Sequence, residues 1–303
     1  MSTALPDLPQ GLPARWRLLR YEDPEYPRLL REVVPAPALL VQGGLDSDAE
    51  MVAVVGARRC SAYGEELAFE IGAGLARAGM VVVSGLARGI DAAAHLGALA
   101  VGGHTVAVMG TGPDRVYPRE HCALASRIAA QGALVTQFGP GEPARRAHFP
   151  ERNATISGMS LGVVVVEARV RSGAMTTAGA AGTQGRAVMA VPGSVRNACS
   201  AGCHELIRDG ARLVTGAEDV ISELRGEPLV RLLRPAGSAR RRFGDLRDPI
   251  LSLLVGCDLT LDQIAERIRA PAIDVAAAAG RLRLDRRVQL RGGVYTLDGC
   301  NNE

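Results

Sequence analysis

Short apolar runs and amphipathic stretches alternate along the chain from residue 51 to residue 225. The apolar runs predict strands buried on both faces of a sheet, and the stretches between them repeat apolar residues every three or four positions, as helices do. The predicted strands are Met51–Val55, Met80–Val83, His104–Met109, Ala133–Thr136, Leu161–Val166, Ala187–Val191 and Arg212–Thr215. The predicted helices are Tyr63–Ala78, Ile90–Ala100, Arg119–Ala130, Glu151–Gly158, Thr176–Gly185, Gly202–Asp209 and Ala217–Leu224. This order predicts right-handed crossovers and an α/β fold with an extended Rossmann-like, doubly wound sheet.

The pattern changes before and after this region. Residues 1–50 are rich in proline and predict an irregular segment that leads into the core, with room for a short helix between Trp16 and Leu30. Residues 226–244 combine prolines and glycines with three consecutive arginines and predict a linker. The sequence therefore predicts a core domain over 51–225 and a separate small domain over 245–303.

The small domain has the predicted element order of a winged helix. Three helical patterns precede two short strands that meet at a glycine pair, where a tight turn is expected. These elements are Asp248–Val255, Thr260–Arg269, Ile273–Leu284, Val288–Leu290 and Val294–Leu297. Around the end of the third helix lie Arg281, Arg283, Arg286 and Arg287, which are candidates for contact with duplex DNA. The charge favours DNA, and a protein-docking role stays open.

Charge is unevenly distributed, although the whole chain carries a net charge of only +3. All 35 cationic side chains are arginine, and the segment 231–291 holds 13 Arg against 7 Asp and Glu. This asymmetry indicates a polyanionic partner. The six cysteines are scattered, no signal pattern precedes the core and no apolar run is long enough to span a bilayer, so we expect a cytoplasmic protein with reduced thiols and no membrane contact. Cys199, Cys203 and His204 lack a second ligand pair, and we expect no metal.

Three glycine-rich turns follow the first three predicted strands of the core. They begin at Gly56, Gly85 and Gly110, and the first two carry Arg58 and Arg88. None matches a dinucleotide fingerprint or a Walker loop, so no nucleotide cofactor is predicted. Because strand ends of an open parallel sheet meet at one edge, three such turns predict a phosphate-binding groove there.

A basic cluster with one aromatic residue lies further along, around Phe149. In a chain with only four Phe, an aromatic beside arginines indicates a base-stacking platform. A Phe that fills the core beneath a solvated arginine loop is an equally good interpretation of the residues alone. The cluster consists of Arg145, Arg146, His148, Phe149, Arg152 and Asn153.

The sequence contains no paired acids at catalytic spacing and no nucleophile–base grouping, so an enzyme is not predicted. Asp91 and His95 lie one helical turn apart, which fits a contact at the start of a helix better than a catalytic pair. Glu167 ends the most apolar strand, and we expect its carboxylate to orient the nearby Arg169 and Arg171.

Taken in order, these strings resemble the DNA-processing protein A family (DprA, or Smf) from about Tyr26 to Leu224. Beyond the glycine turns, the match includes Tyr117-Pro118, Phe149-Pro150-x-Arg152-Asn153, Val166-Glu167-Ala168, Ser172-Gly173-Ala174-Met175, Val191-Pro192-Gly193 and Gly202-Cys203-x2-Leu206-Ile207. The last 55 or so residues look like the winged-helix module that many members append.

The resemblance implies a homodimeric, non-enzymatic protein that binds and protects incoming single-stranded DNA and loads RecA recombinase during natural transformation. It also implies that the Gly-x-Arg loop and the Phe-Pro-x-Arg-Asn segment line a basic pocket for DNA phosphates, which favours DNA contact for Phe149. The predicted DNA-binding set is Gly56, Arg58, Ser84, Gly85, Arg88, Gly110, Arg145, Arg146, Phe149, Arg152, Asn153, Ser172 and Gly173.

Two departures and one alternative accompany the resemblance. Ala154 stands where the family usually has a further arginine, which puts the DNA path there in doubt, and too few residues precede Tyr26 for the sterile-alpha-motif-like domain of many members. The alternative is a phosphoribohydrolase of a related Rossmann-like group that cleaves nucleoside monophosphates. The comparable stretch here, Gly179 to Arg186, lacks the glutamate that would act as acid or base.

Overall fold

The structure of the chain is a computed structural model. It describes residues 11–226, 246–255, 258–268, 270, 272–285, 287–291 and 293–297. The chain divides into two compact units, residues 1–229 and residues 230–303. The predicted linker 226–244 lies outside the described residues except for Gly226. Each unit is described separately below.

The first unit is built on one sheet of nine strands, in the order β1-β2-β6-β5-β4-β3-β7-β8-β9. From β6 to β9 all neighbours are parallel, which confirms the predicted Rossmann-like core. The strands are β1 (Arg17–Leu19), β2 (Leu39–Gly43), β3 (Met51–Val55), β4 (Val81–Ser84), β5 (Thr105–Val108), β6 (Ala133–Thr136), β7 (Gly162–Val165), β8 (Ala187–Ala190) and β9 (Arg212–Leu213).

Helices cover both faces of this sheet. The helices α4, α5 and α6 pack on one face, and α1, α2, α3 and α7 pack on the other. Both cores are mainly aliphatic, with Tyr26 in one and Trp16 in the other. The valines of β3 and β7 are buried, as the continuous apolar runs predict. The helices are α1 (Ala62–Arg77), α2 (Ile90–Ala100), α3 (Cys122–Gln131), α4 (His148–Gly158), α5 (Gly173–Thr183), α6 (Ala201–Arg208) and α7 (Ala217–Arg225).

The segment that we predicted to be irregular before residue 51 adds two strands to the sheet. The β1 strand pairs with β2, and β2 pairs with β6, both antiparallel. No helix runs from Trp16 to Leu30; a single turn of 3-10 helix lies at Leu29–Glu32. Nearby prolines interrupt the alternation of apolar and polar residues that would have predicted these strands. The pairing itself is long-range, since Leu40 pairs with Thr136, almost a hundred residues away.

The buried His95 ring gives this core a defined response to acid. Its Nδ1 lies 2.7 Å from Thr105 Oγ1, and that hydroxyl donates to the carbonyl of Val82. The hydroxyl proton is therefore used, so Nδ1 carries the ring proton and donates. The other nitrogen, Nε2, is buried without a partner among the described residues. Burial, with smaller effects of His121 and Arg152, lowers the pKa of His95 from 6.5 to about 3.

We expect the burial of the His95 ring to lower the free energy of unfolding as the pH falls. The unfolded chain takes up a proton on His95 near pH 6.5, whereas the folded chain does so only near pH 3. Between pH 6.5 and about pH 3 the contribution of His95 to the free energy of unfolding therefore falls by about 1.4 kcal/mol for each pH unit. Urea unfolding between pH 7 and pH 4 would measure this. The variant His95→Gln should lose less stability than the parent over that range; equal losses would contradict the assignment.

The second unit has the winged-helix layout that the sequence predicts. Three helices precede a hairpin, and a short strand joins it to make a three-stranded antiparallel sheet in the order β10-β12-β11. Of the four predicted arginines, Arg283 and Arg287 are exposed, whereas Arg286 and the side chain of Arg281 lie outside what the structure describes. The elements are α8 (Arg247–Leu253), β10 (Leu259–Thr260), α9 (Leu261–Ile268), α10 (Ala272–Leu284), β11 (Val288–Arg291) and β12 (Val294–Leu297).

Candidate nucleic-acid interface

A cavity of about 230 Å³ opens at the carboxyl edge of the parallel strands, beside β3. We call it the Arg58 pocket. Its walls come from the turn after β3, the start of the α2 region, one side of α4 and the start of α5. It is lined by Val55, Gly56, Ala57, Arg58, Ala87, Asp91, Phe149, Arg152, Asn153, Ile156, Ser172, Gly173, Ala174 and Thr177. Seven of the predicted site residues therefore surround one space.

An exposed arginine and an aromatic ring line this pocket, and a second aromatic ring lies next to the first. The exposed Arg58 guanidinium lies 4.9 Å from the centroid of the Phe149 ring, within cation–π range. The Tyr117 ring lines an adjacent small cavity, lies 6.0 Å from the Phe149 ring between centroids, and is 46% exposed. Phe149 is half-buried. Its ring is therefore neither fully exposed for base stacking nor enclosed in the core. Tyr117 is absent from the predicted set, although the motif Tyr117-Pro118 was a usable signal.

Helix α4 brings Phe149 and Arg152 together. It begins at His148 rather than at the predicted Glu151, because Pro150 is tolerated in the first turn of a helix, where its missing N–H is not needed. Phe149 and Arg152 are thereby three residues apart on one helical face. The His148 ring is buried against Phe138, with 4.0 Å between the ring centroids, and it anchors the start of the helix.

Arg152 is a buried residue rather than a surface one. Its side chain is 4% exposed, and Nη1 donates to the carbonyls of Gly85 and Val108, the latter at 2.7 Å. Burial lowers the pKa of Arg152 to about 10, an effect that Asp91 opposes, so the guanidinium stays charged at neutral pH. Arg152, one of the predicted DNA-binding residues, therefore forms the charged floor of the pocket and ties two strand ends together.

The Asp91 carboxylate shapes the turn opposite Arg58. It accepts hydrogen bonds from the backbone N–H groups of Gly85 and Ala87, at 3.1 and 3.3 Å. Between them, Leu86 adopts a left-handed conformation with φ of 57°. This geometry uses the carboxylate for backbone support, and it makes no pair with His95. Burial raises the pKa of Asp91, while the charge of Arg152 opposes that rise.

The amino terminus of α5 supplies the other wall. Ser172 and Gly173 line the pocket, and the first turn of α5 contains no acidic residue. Asn153 holds this wall by donating to the Gly173 carbonyl at 3.1 Å. The hydroxyl oxygen of Ser172 is buried without a partner in the described structure. A helix start with free N–H groups and a nearby guanidinium is suited to bind a phosphate.

The remaining predicted site residues differ from Arg58 in burial, in their ion pairs or in their distance from the pocket. Ser84 is fully buried, and its hydroxyl donates to the Val54 carbonyl at 2.6 Å, so the structure removes it from the contact set. Gly110 is buried beneath the Phe149 ring, where a Cβ would lie 3.2 Å from ring carbons. Arg88 pairs with Glu120 and Arg145 pairs with Glu142, whereas Arg146 is exposed just before α4.

Glu167 does not orient the arginines that follow it, which corrects our expectation. Its carboxylate is buried and accepts from the backbone N–H of Ser61 at 2.8 Å and from the Ser61 hydroxyl. It therefore supports the start of α1. Among the described residues, no group of three potential metal ligands occurs, the cysteines are free, and no helix combines the length and the apolar character needed to cross a bilayer.

This fold and this site define a Rossmann-like protein with a groove lined by arginines and an aromatic ring at the carboxyl edge of its sheet. The chain belongs to the DNA-processing protein A family: the family model described as DNA recombination-mediator protein A matches residues 17–225. The DNA processing protein DprA of Streptococcus pneumoniae is 46% identical over 200 residues, which are 65% of this chain and 71% of that protein. Protein Smf of Escherichia coli is 40% identical over 266 residues, which are 85% of this chain and 71% of that protein.

One further relative matches over a smaller share of its own length, and two solved structures show the same fold. The putative DNA processing protein DprA of Mycobacterium tuberculosis is 50% identical over 169 residues, and the match spans 43% of that protein. The crystal structure of the Streptococcus pneumoniae protein superposes with a TM-score of 0.67 at 43% identity, covering 69% of this chain and 75% of that one. The Helicobacter pylori protein superposes with a TM-score of 0.63 at 24% identity, which supports the fold alone.

Proposed function

We propose that this protein binds single-stranded DNA in the Arg58 pocket, and that it does so without catalysing a reaction. The observation that carries the proposal is the contact of the exposed Arg58 with Phe149, beside the amino terminus of α5. Arginine and helix N–H groups bind phosphate oxygens, and an aromatic ring beside them offers a surface on which a base stacks. The related Helicobacter pylori protein has a described mode of single-stranded DNA binding, which supports this choice of ligand.

The wider role is proposed from the family. We infer that the protein protects incoming single-stranded DNA and helps RecA recombinase assemble on it, as a homodimer in the cytoplasm. Family membership supports a task in DNA processing and recombination. Two measurements test the finer claims: RecA filament growth on single-stranded DNA with and without the protein, and the sedimentation mass of the protein alone. No acceleration of filament growth, or a monomeric mass at working concentration, would refute the corresponding claim.

The phosphoribohydrolase alternative has no structural observation in its favour. The stretch comparable to the enzyme motif begins at Gly179, and it occupies the far part of α5 and the turn that follows. The pocket is lined by the opposite end of this helix, at Ser172 and Gly173. Incubation with nucleoside monophosphates tests the alternative, because sustained release of free base would overturn a binding-only function.

The second unit is proposed to bind DNA through its arginine-rich helix end. The exposed side chains of Arg283 and Arg287 support this role, and docking of a protein partner remains the competing one. Removing the residues after Arg225 and measuring affinity for single-stranded and duplex DNA separately distinguishes them. A protein-docking module would leave both affinities unchanged.

The variant Phe149→Leu tests the aromatic contact specifically. We expect it to bind oligothymidylate about tenfold more weakly, because loss of stacking on an aromatic ring costs about 1–3 kcal/mol per base. Its affinity for an abasic strand of equal length should change little, since the phosphate contacts remain. Fluorescence anisotropy with both strands measures the difference. The control is Phe69→Leu, because Phe69 is 40% exposed on α1, away from the pocket. An equal loss on both strands would mean that Phe149 only positions Arg58.

A further inference from the structure

Four exposed arginines lie on the loops after β3, β7 and β8, outside the lining of the Arg58 pocket. We call them the arginine rim: Arg59, Arg169, Arg171 and Arg196. Within the part of the chain that the structure describes, none of them forms an ion pair with a carboxylate. Their positive charge is therefore available to a ligand.

The other half of the same edge is different in charge. On the loops after β4, β5 and β6, three exposed arginines are partnered by carboxylates. These pairs are Arg88 with Glu120, Arg115 with Asp114 at 3.3 Å, and Arg145 with Glu142 at 3.3 Å. On the same loops Arg119 and Arg146 are exposed without an ion pair among the described residues, so uncompensated charge lies on both sides of the Arg58 pocket, and the four rim arginines make up its larger share.

The order of the strands makes the rim continuous with the pocket. In the sheet β3 is next to β7, and β7 is next to β8, all parallel. Neighbouring strands are about 4.8 Å apart, so their carboxyl ends extend about 10 Å sideways from the turn that carries Arg58. A strand of DNA that leaves the pocket on this side passes over the rim.

The three loops are held to one another by buried groups. The Glu167 carboxylate, 2% exposed, accepts from Ser61 on the first loop and from Asn197 Nδ2 on the third, at 3.4 Å. The Cys199 thiol lies 3.8 Å from the Arg59 carbonyl. Glu167, the acidic residue of the second loop, therefore makes its hydrogen bonds inside the protein. The rim arginines extend into solvent from loops that these hydrogen bonds hold together.

Exposed apolar side chains alternate with these arginines. Val170, between Arg169 and Arg171, is 43% exposed, and Val195, next to Arg196, is 88% exposed. Both valines therefore offer apolar surface to a ligand on this edge, and Val195 packs little against the protein. Guanidiniums interleaved with apolar groups match a polymer that offers phosphates and apolar base or sugar faces together, and they fit a free phosphate ion less well.

We propose that the arginine rim is a second binding site for single-stranded DNA, which holds the phosphates of the strand as it leaves the Arg58 pocket toward β8. This proposal rests on the proposed function, because it describes the continuation of that strand. The protein then contacts a longer stretch of DNA than the pocket alone accommodates. Long strands gain affinity from the rim, and strands that only fill the pocket do not.

The test is a triple variant, Arg169→Ala, Arg171→Ala and Arg196→Ala, in the full chain. Binding is measured by anisotropy on oligothymidylates of about six and about twenty nucleotides, at several salt concentrations. We expect the variant to bind the long strand at least tenfold more weakly, with a salt slope lower by about 2, since each lost phosphate contact on a single strand accounts for about 0.7. Binding of the short strand should stay within about twofold of the parent.

The matched control removes the same charge elsewhere. Arg77, Arg127 and Arg208 are exposed on α1, α3 and α6 and have no ion pair among the described residues, so their triple alanine variant also lowers the net charge by three. The rim variant with lysine at its three positions should recover most of the affinity, because charge is retained. An equal effect of the control variant, or an equal loss on both strand lengths, would overturn the rim. Failure of the proposed function has a different signature: no effect of Arg58→Ala on either strand.

Discussion

The double variant Arg58→Ala and Arg146→Ala is expected to bind single-stranded DNA about 100-fold more weakly than the parent at moderate salt. Both guanidiniums are exposed, one at the mouth of the pocket and one just before α4. A charge-assisted contact with phosphate contributes about 1.5 kcal/mol, or about tenfold in affinity, so two contacts multiply to that value. The loss should be similar for all base sequences, since phosphates carry no sequence information.

Salt dependence gives this prediction a second readout. The slope of log affinity against log salt should fall by about 1.4 in the double variant, because two fewer phosphates are neutralised on a single strand. Unfolding should be unchanged within about 0.5 kcal/mol, as for other exposed substitutions. The double variant Arg77→Ala and Arg208→Ala, which changes the charge equally on other exposed surfaces, is the control. Unaltered affinity in the first variant at moderate salt would show that the pocket is not the DNA site.

Replacing Arg152 by Met is expected to act first on folding, with a loss of about 3 kcal/mol or more in the free energy of unfolding. The guanidinium is buried and donates to the carbonyls of Gly85 and Val108. Methionine fills similar space but leaves both acceptors without that donor, and it removes the positive charge that opposes the raised pKa of the buried Asp91. Loss of one member of a buried charged network typically costs about 3–5 kcal/mol.

Urea unfolding of Arg152→Met beside Arg58→Met separates the two roles. The Arg58→Met variant should lose DNA affinity with little change in its free energy of unfolding, because Arg58 is exposed. The Arg152→Met variant should first show a lower free energy of unfolding, because Arg152 is buried. Under conditions where Arg152→Met remains folded, its affinity should fall as well, because the floor of the pocket loses its charge. Unchanged stability together with lost binding would instead make Arg152 a direct phosphate ligand, as the sequence suggested.

Much of the core was accessible to reasoning from the sequence, for a local reason. Strands such as Met51–Val55 and Gly162–Val165 are continuous apolar runs, and such runs are buried wherever they occur in a parallel sheet. The edge strands β1 and β2 were not accessible, because their conformation depends on pairing with β6 rather than on a periodic pattern. The start of α4 at His148 was not accessible for another reason, because prolines on both sides of it interrupt the helical pattern.

The sequence by itself determined the fold class, the family resemblance and the edge of the sheet where the glycine turns and arginines meet. Those follow from residue types and their order, since parallel strands end at one edge whatever their partners. Only the tertiary structure decided which arginines are exposed and which have a carboxylate partner. Arg58 is exposed on an aromatic ring, Arg152 is enclosed beneath it, and Arg88 is paired with Glu120. Residue type is the same in all three, and the difference comes from burial and from partners far away in the chain.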